Sequence, residues 1–231
     1  MNFENKLISG VFVKRYKRFF ADVKIENKVI TAHCPNTGSM KGLLKEGNKV
    51  WLSKSNNPDR KLKYTLQIIE DKKSKVGVNT HLTNKIVLDA LNNNLIKEFD
   101  KDIIIKPEVK FGDNTRFDFL ITKKNYKAFV EVKNVTLARK HNIAEFPDAI
   151  TSRGAKHIEE LIKASKKGYE VYIAFIIQRE DCNQLTIAND IDPEYSKLLS
   201  KAVKKKLNIL CYDCKFSLKG IKLNKKIKFK I

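Results

Sequence analysis

No apolar stretch of the 231-residue sequence approaches the ~20 residues a membrane-crossing helix needs. Met1 to Glu4 also lack the charged-then-apolar pattern of a secretory leader. Both absences point to a cytoplasmic protein that does not span a membrane. Cysteine is scarce: Cys34 and Cys182 stand alone, and Cys211 and Cys214 form one C-x-x-C. A single pair is two ligands short of a structural zinc site, and no thioredoxin-like context surrounds it, so reduced, half-buried thiols are expected. Internal repeats and low-complexity segments are missing too. The last deficit is acidic: 26 Asp and Glu face 47 Lys and Arg, a formal charge of +21. Lysine, asparagine and isoleucine are all abundant, as an AT-rich genome would produce, but that bias alone would not leave acids so outnumbered. The balance points to a polyanionic partner, nucleic acid ahead of anionic membrane surfaces or acidic proteins.

What is present is periodic almost from end to end, and the hydrophobic fraction of 42% supports a packed core. Residues 1–82 read as short strands between turn signals. Leu7 to Phe20 is extended and basic, and Ala21 to Ile25 and Lys28 to His33 alternate around Glu26-Asn27. Lys49 to Lys54 and Leu62 to Glu70 follow further breaks. Five or six strands in such a span predict a small barrel. From Thr83 the period becomes helical, with Ile86, Val87, Ala90, Leu91 and Leu95 on one face. Strand-like runs follow at Ile103 to Phe111, Arg116 to Thr122 and Ala128 to Leu137. Thr151 or Ser152 then caps a helix that Gly168 stops. Glu170 to Gln178 is a strand apolar enough for a sheet centre. Pro193 opens a last helix through Lys206, Ile209 to Phe216 is a strand, and Lys222 to Lys230 reads as a basic edge strand. The second part is therefore α/β, residues 83–231.

The hairpin from Arg116 to Val135 carries the chemistry. With Thr122 facing Lys127, Phe117, Phe119 and Ile121 oppose Val132, Val130 and Ala128 on one apolar face. The same register sets Asp118 opposite Glu131 and Arg116 opposite Lys133, and Glu131 and Lys133 share a face. Opposed carboxylates come close enough to share a cation. With no neighbouring His or Cys, they favour a hard ion, Mg²⁺ or Mn²⁺. A lysine beside them can orient water and balance a phosphate, so Asp118, Glu131 and Lys133 are the candidate catalytic residues of a metal-assisted phosphodiester hydrolase. Glu108 and Asp89 are further candidate carboxylates. The other reading is an ordinary surface patch in which Glu131 pairs with Lys133 or Arg116.

Two basic clusters are candidate phosphate contacts. Arg15, Lys17 and Arg18 interleave with Tyr16, Phe19 and Phe20, as a stacking surface would. Arg153, Lys156 and His157 lie on one face at a helix start, where backbone N–H groups favour anions. Arg116 adds a cation beside the trio, and the turn Asn36 to Ser39 is a candidate anion nest.

The segments Val13 to Phe19, His33 to Met40, Val76 to Thr80, Val130 to Thr136, and Phe146 to Asp148 with Arg153-Gly154 and Lys156-His157 occur in an order that resembles the sugar fermentation stimulation protein A family. The resemblance implies an OB-like barrel over residues 1–82 and a domain similar to the PD-(D/E)-x-K nucleases over 83–231. It implies non-specific DNA binding and a regulatory role in sugar, especially maltose, metabolism. On the nuclease pattern, Asp118 and Glu131 match the metal ligands and Lys133 the lysine that activates water. Two departures stand out: Asp118 follows Phe117 rather than proline, and Pro147-Asp148 comes after the E-x-K. The expectation is a DNA-binding protein without sequence preference. The alternatives are a Mg²⁺- or Mn²⁺-dependent DNA phosphodiesterase and a module for RNA or an acidic protein.

Overall fold

Strand alternation builds the first unit of the computed structural model, which describes residues 1–99 and 101–231. Its strands are β1 (Ile8–Tyr16), β2 (Phe20–Ile25), β3 (Lys28–His33), β4 (Lys49–Lys54), β5 (Tyr64–Asp71) and β6 (Ser74–Gly77). They run in the order β3-β2-β1-β4-β5-β6, and His33 meets Thr65 to join β3 to β5. The first five therefore close into an OB barrel, filled by Phe12, Val23, Ala32, Leu52, Leu66 and Ile69.

Leu7 to Phe20 is not a single extended run, because Tyr16 pairs with Phe20 and residues 17–19 form the β1–β2 turn. Lys17 and Arg18 turn the chain at φ 47° and 61° without glycine or asparagine, so nothing in the composition marked the turn.

A 3₁₀ turn (Thr80–Leu82), capped by the Asn79 side chain, leads into the second unit. There α1 (Thr83–Asn92), β7 (Ile104–Phe111), β8 (Thr115–Lys123), β9 (Tyr126–Val135), β10 (Leu137–Lys140) and β11 (Ile143–Phe146) precede α2 (Ser152–Lys166). Then come β12 (Glu170–Ile177), β13 (Gln184–Ile187), α3 (Pro193–Lys204), β14 (Asn208–Phe216), β15 (Ile221–Lys226) and β16 (Lys228–Lys230). The main sheet has the order β15-β14-β12-β9-β8-β7, with a small sheet β10-β11-β13-β16 beside it. Strand β12 pairs in parallel with β9 and β14, which is why its apolar run suits the centre. Helix α1 covers one face through Ile86, Val87 and Ala90, and α2 and α3 cover the other through Ile158, Leu161 and Leu199. Among the described residues no helix is long and apolar enough to cross a membrane.

Helix α2 is capped by Thr151, whose hydroxyl accepts from Gly154 N at 3.0 Å, and the chain leaves it through Gly168 at φ 86°. Other boundaries differ from expectation. Helix α1 stops at Asn92, leaving Leu95 exposed. Strands β10, β11 and β13 span four residues each, too few to show a period. The run Lys222 to Lys230 breaks at buried Ile227, which sends β15 and β16 into different sheets. Cys211 and Cys214 sit three apart on β14 and so point into opposite cores, both as free thiols. Burial pushes the Cys211 thiol up to about 12. That geometry keeps the two sulfurs from meeting on one metal ion.

The two units are clamped together just beyond β12. Gly77 N donates to Gln178 O at 2.9 Å, and Val76 bridges to Arg179. Arg179, only 2% exposed, donates to Asp71 of the barrel at 2.8 Å, to Asp181 at 2.7 Å and to the Thr136 carbonyl at 3.0 Å. Removing the buried guanidinium leaves two partly buried carboxylates without their partner, and breaking a buried pair in this way typically costs about 3–5 kcal/mol. Arg179→Met should therefore lower the unfolding free energy in urea by about that amount, with Asp71→Asn milder because Asp181 remains. A loss below about 1 kcal/mol for Arg179→Met would show that the clamp is not energetically important.

Candidate functional site

Two residues apart on β9, Glu131 and Lys133 project to the side covered by α2, as strand geometry requires. The β8–β9 ladder has the register the apolar pattern dictates: Phe119 faces Val130, Ile121 faces Ala128 and Thr122 faces Lys127. It ends at Phe119. Beyond that point the alternation of β8 breaks, and Phe117 packs against Phe129 at 4.8 Å on the α2 side, while Phe119 and Ile121 join the α1 side. The single apolar face expected for Phe117, Phe119 and Ile121 is thus divided between two cores. Both faces of the sheet are buried, so hydrophobicity did not discriminate between them.

Asp118 sits at this break, where the Val132 N–H donates to its Oδ2 at 2.7 Å. Its Oδ1 accepts from the Asn84 amide of α1, also at 2.7 Å. Burial first, and then the charge of Glu131, push the Asp118 carboxyl up to about 6. The two carboxylates are thus electrostatic neighbours, although Asp118 is held from the α1 side rather than squarely opposite Glu131.

Glu131 is 3% exposed. Its Oε1 accepts from Lys133 Nζ at 2.7 Å and is bonded to His157 Nδ1. Burial alone would raise this carboxyl, but Lys133 and His157 outweigh it and hold the group below the usual carboxylate range. Among the described residues its second oxygen, Oε2, is buried without a hydrogen-bond partner, and so is the hydroxyl of Tyr195 on α3. Burial, with the charges of Glu131 and Asp192, pushes the Tyr195 phenol up. An orphaned carboxylate oxygen beside a second carboxylate that resists ionisation is a donor set that a hard divalent cation would satisfy. Among the described residues no group of three or more His, Cys, Asp or Glu converges on a metal position, so any such ion would keep much of its water.

Three of these residues play parts the sequence did not disclose. His157 does not share the exposed face of Arg153 and Lys156 but turns inward on the stripe of Gly154, Ile158 and Leu161. That helical spacing was the available signal. Asn84 and Tyr195 carried none beyond cap and core patterns. Of the further candidates, Glu108 has φ 54° and faces Arg116 across the surface at 3.9 Å, and Asp89 pairs with the Met1 ammonium at 2.9 Å. Neither joins the site.

A cleft of about 710 Å³ lies between barrel and sheet, lined by Arg15, Arg18, Ser39, Lys133, Asp148 and Ile150 among others. Arg15 is used internally: its guanidinium donates to the carbonyls of Asn36 at 2.6 Å and of Gly38 and Arg18 at 3.0 Å. The candidate nest at Asn36 to Ser39 already holds an anion of the chain's own, since Ser39 Oγ and Met40 N both donate to Asp148 Oδ2 at 3.2 Å. Lys17, Arg18 and Arg153 are exposed. Arg116 lies on the outer hairpin opposite Lys110, and Lys156 borders a separate groove with Lys163 and Lys167. The structure thus brings Arg15, Arg18 and Lys133 to one cleft and leaves Arg116 and Lys156 outside it.

Two family models match the chain: the SfsA N-terminal OB domain over residues 13–78 and the sugar fermentation stimulation protein RE domain over residues 81–220. The sugar fermentation stimulation protein homolog of Pelagibacter ubique is 57% identical over 228 residues, covering 99% of this chain and 98% of that protein. The homolog of Maricaulis maris is 44% identical over 219 residues, covering 94% and 93%. Among solved structures, Pyrococcus furiosus SfsA in complex with Ca²⁺ superposes with a TM-score of 0.90 at 26% identity, over 100% of this chain and 98% of that one.

The raised Asp118 carboxyl has a consequence for stability. The folded state holds this proton up to about pH 6, whereas the unfolded chain releases it near about 4. The stability this group contributes is complete below pH ~4 and is lost as pH rises through ~6, roughly 2–3 kcal/mol in all. In EDTA, Asp118→Asn should remove that part of the pH profile and be more stable than the parent at pH 7.5. The amide of Asn84 can flip to serve the new side chain. Thermal unfolding at pH 4 and pH 7.5 decides it, and parallel profiles for the two proteins would refute the assignment.

Proposed function

The chain belongs to the sugar fermentation stimulation protein family, and from that premise we propose that it binds DNA without sequence preference in the cleft between barrel and sheet. We place it in the cytoplasm as a regulatory factor in sugar, especially maltose, metabolism; the regulatory part rests on the family alone. The observation that carries DNA binding is the charge of the cleft in a chain of net +21. Arg18 faces it with no ion pair among the described residues, Lys133 faces it from the other unit while also bonded to Glu131, and its acidic residues are engaged, Glu145 by Arg139 and Asp148 by the barrel turn. Ile150, 80% exposed, offers an apolar contact for sugar or base. Lys17 and Arg153 extend the positive surface, with Arg116 and Lys156 as outer contacts and Arg15 bracing the turn. Contacts of this kind track phosphates and read no base edges, hence the absence of sequence preference.

A second reading, a metal-dependent phosphodiesterase of the PD-(D/E)-x-K kind, is favoured by the orphaned Glu131 Oε2. That the Pyrococcus furiosus protein is a complex with Ca²⁺ supports a hard cation as a ligand of this fold. Asp118 and Glu131 would hold Mg²⁺ or Mn²⁺, which when bound supplies Lewis-acid polarisation of a phosphate oxygen. The chain's own residues do the positioning. Asn84 and the Val132 N–H orient Asp118, and His157 fixes Glu131. Lys133 sets an ammonium charge at the floor of the cleft.

Gel shifts of the parent, Asp118→Asn and Glu131→Gln on supercoiled, linear, single-stranded and branched DNA, with Mg²⁺, Mn²⁺ or EDTA, test both readings. All three proteins should bind, with affinity falling steeply as salt rises. Arg18→Ala should weaken binding several-fold and reduce the salt slope by about one unit. Metal-dependent cutting that both carboxylate changes abolish would establish the phosphodiesterase. Binding without cutting would end that reading for those substrates. No binding by the parent, or an RNA competitor that displaces DNA at much lower concentration, would overturn the first.

A further inference from the structure

Behind the turn that borders the cleft lies a second pocket of about 400 Å³. Pro35 lines this pocket and Asn36 to Ser39 line the cleft, so one short segment separates the two. The pocket's walls bring together five basic side chains from four places in the chain. They are His33 at the end of β3, Lys54 at the end of β4, Arg60 in the β4–β5 loop, and His81 in the 3₁₀ turn with Lys85 in the first turn of α1. Glu4 is the sole acidic residue on its lining. None of the five basic side chains forms an ion pair among the described residues.

Lys54, His81 and Lys85 are exposed at the pocket's rim, whereas Arg60 is partly buried with no carboxylate beside it, unlike Arg179 and Lys133, which are matched by Asp71 and Asp181 and by Glu131. Here Arg60 is half-buried and fixed, with Nη2 donating to Thr65 Oγ1 at 2.9 Å and lying 3.4 Å from His33 Nδ1. Burial, then the charges of Arg60 and His81, hold the His33 imidazole below its ordinary pKa. Behind them the amides of Asn79 and Gln67 are locked, Asn79 Nδ2 to Gln67 Oε1 at 2.8 Å and Gln67 Nε2 to Ser53 Oγ at 2.7 Å. Arg60 is therefore held in place, and its charge adds to those of Lys54 and Lys85, so an anion that bridged them would relieve their mutual repulsion. Donors arrive from the barrel loop, the end of a strand and the start of a helix, which suits a tetrahedral, multiply charged group better than a flat carboxylate.

We propose that this pocket binds a phosphate group through Arg60, with Lys54, His81 and Lys85 around it. The phosphate is supplied either by a free phosphorylated small molecule or by a DNA backbone continuing past the cleft. In either case the site is distinct from the carboxylate centre.

The test uses inorganic phosphate and pyrophosphate as probes in EDTA, against chloride at matched ionic strength, read by thermal shift and ³¹P line broadening. The parent should respond to both probes, and Arg60→Gln should weaken the response at least about tenfold. Lys85→Gln, at an exposed position, should weaken it several-fold and provides a second reading should Arg60→Gln fold poorly. Repeating the titration with the cleft saturated by a DNA oligonucleotide separates the sources. An undiminished response assigns the pocket to a free phosphorylated ligand. Displacement by DNA, with a several-fold loss of DNA affinity in Arg60→Gln, assigns it to the backbone. The proposal is overturned if the parent responds to phosphate no more than to chloride, or if both variants respond as the parent does.

Discussion

A carboxylate that stays charged inside a sheet must have positive charge within reach, and Glu131 imposes that demand on everything around it. Desolvation of such a group costs several kcal/mol unless it is answered by close, well-directed donors. Lys133 answers from the same strand. His157 answers from α2, which fixes where that helix must begin and how it must be turned. The Thr151 cap sets the start. Gly154 lets the helix sit close, since a Cβ there would come within 2.7 Å of the Thr151 hydroxyl and 3.1 Å of the Tyr195 ring. The placement of two helices and the geometry of the candidate site are in this sense one problem with one solution.

The same logic governs the few acids elsewhere. Asp71 and Asp181 hold Arg179, Asp148 fills the barrel turn, Asp192 caps α3 through Tyr195 N, and Glu145 holds Arg139. In a chain short of carboxylates, these are committed to structure. The excess cations remain for the surface, the cleft and the pocket behind it. The field that would draw in a polyanion thus follows from how the acids are used as much as from the number of lysines.

Much of this was legible in advance where a single period governs. The barrel strands showed as short apolar runs between turn signals, with clear alternation in β1, and the β8–β9 register followed from matching apolar positions. Legibility failed where two constraints overlapped. Phe117 satisfies either face of a sheet buried on both sides, so the break at Asp118 left no trace in the pattern. His157 is basic and near a helix start, which suggested a phosphate contact, although its place on the apolar stripe argued for burial. Arg15 has the composition of a DNA contact, but its partners are the carbonyls of its own turn and of the turn Asn36 to Ser39. The small sheet is made of strands too short to have a period.

The clamp at Gln178 and Arg179 bears on how such a chain can evolve. By sequence the protein divides cleanly near residues 79 and 80, where the barrel ends and the 3₁₀ turn begins. The groups that seal the last barrel strand come from the far side of the central strand β12. A recombination event at that seam would leave β6 with unpaired main-chain groups, an edge open to pairing with other chains. It would also leave Arg179 without its barrel partner. A related module put in place of the barrel would have to provide a small residue at the contact with Gln178 and an acid for Arg179 to keep this seam intact.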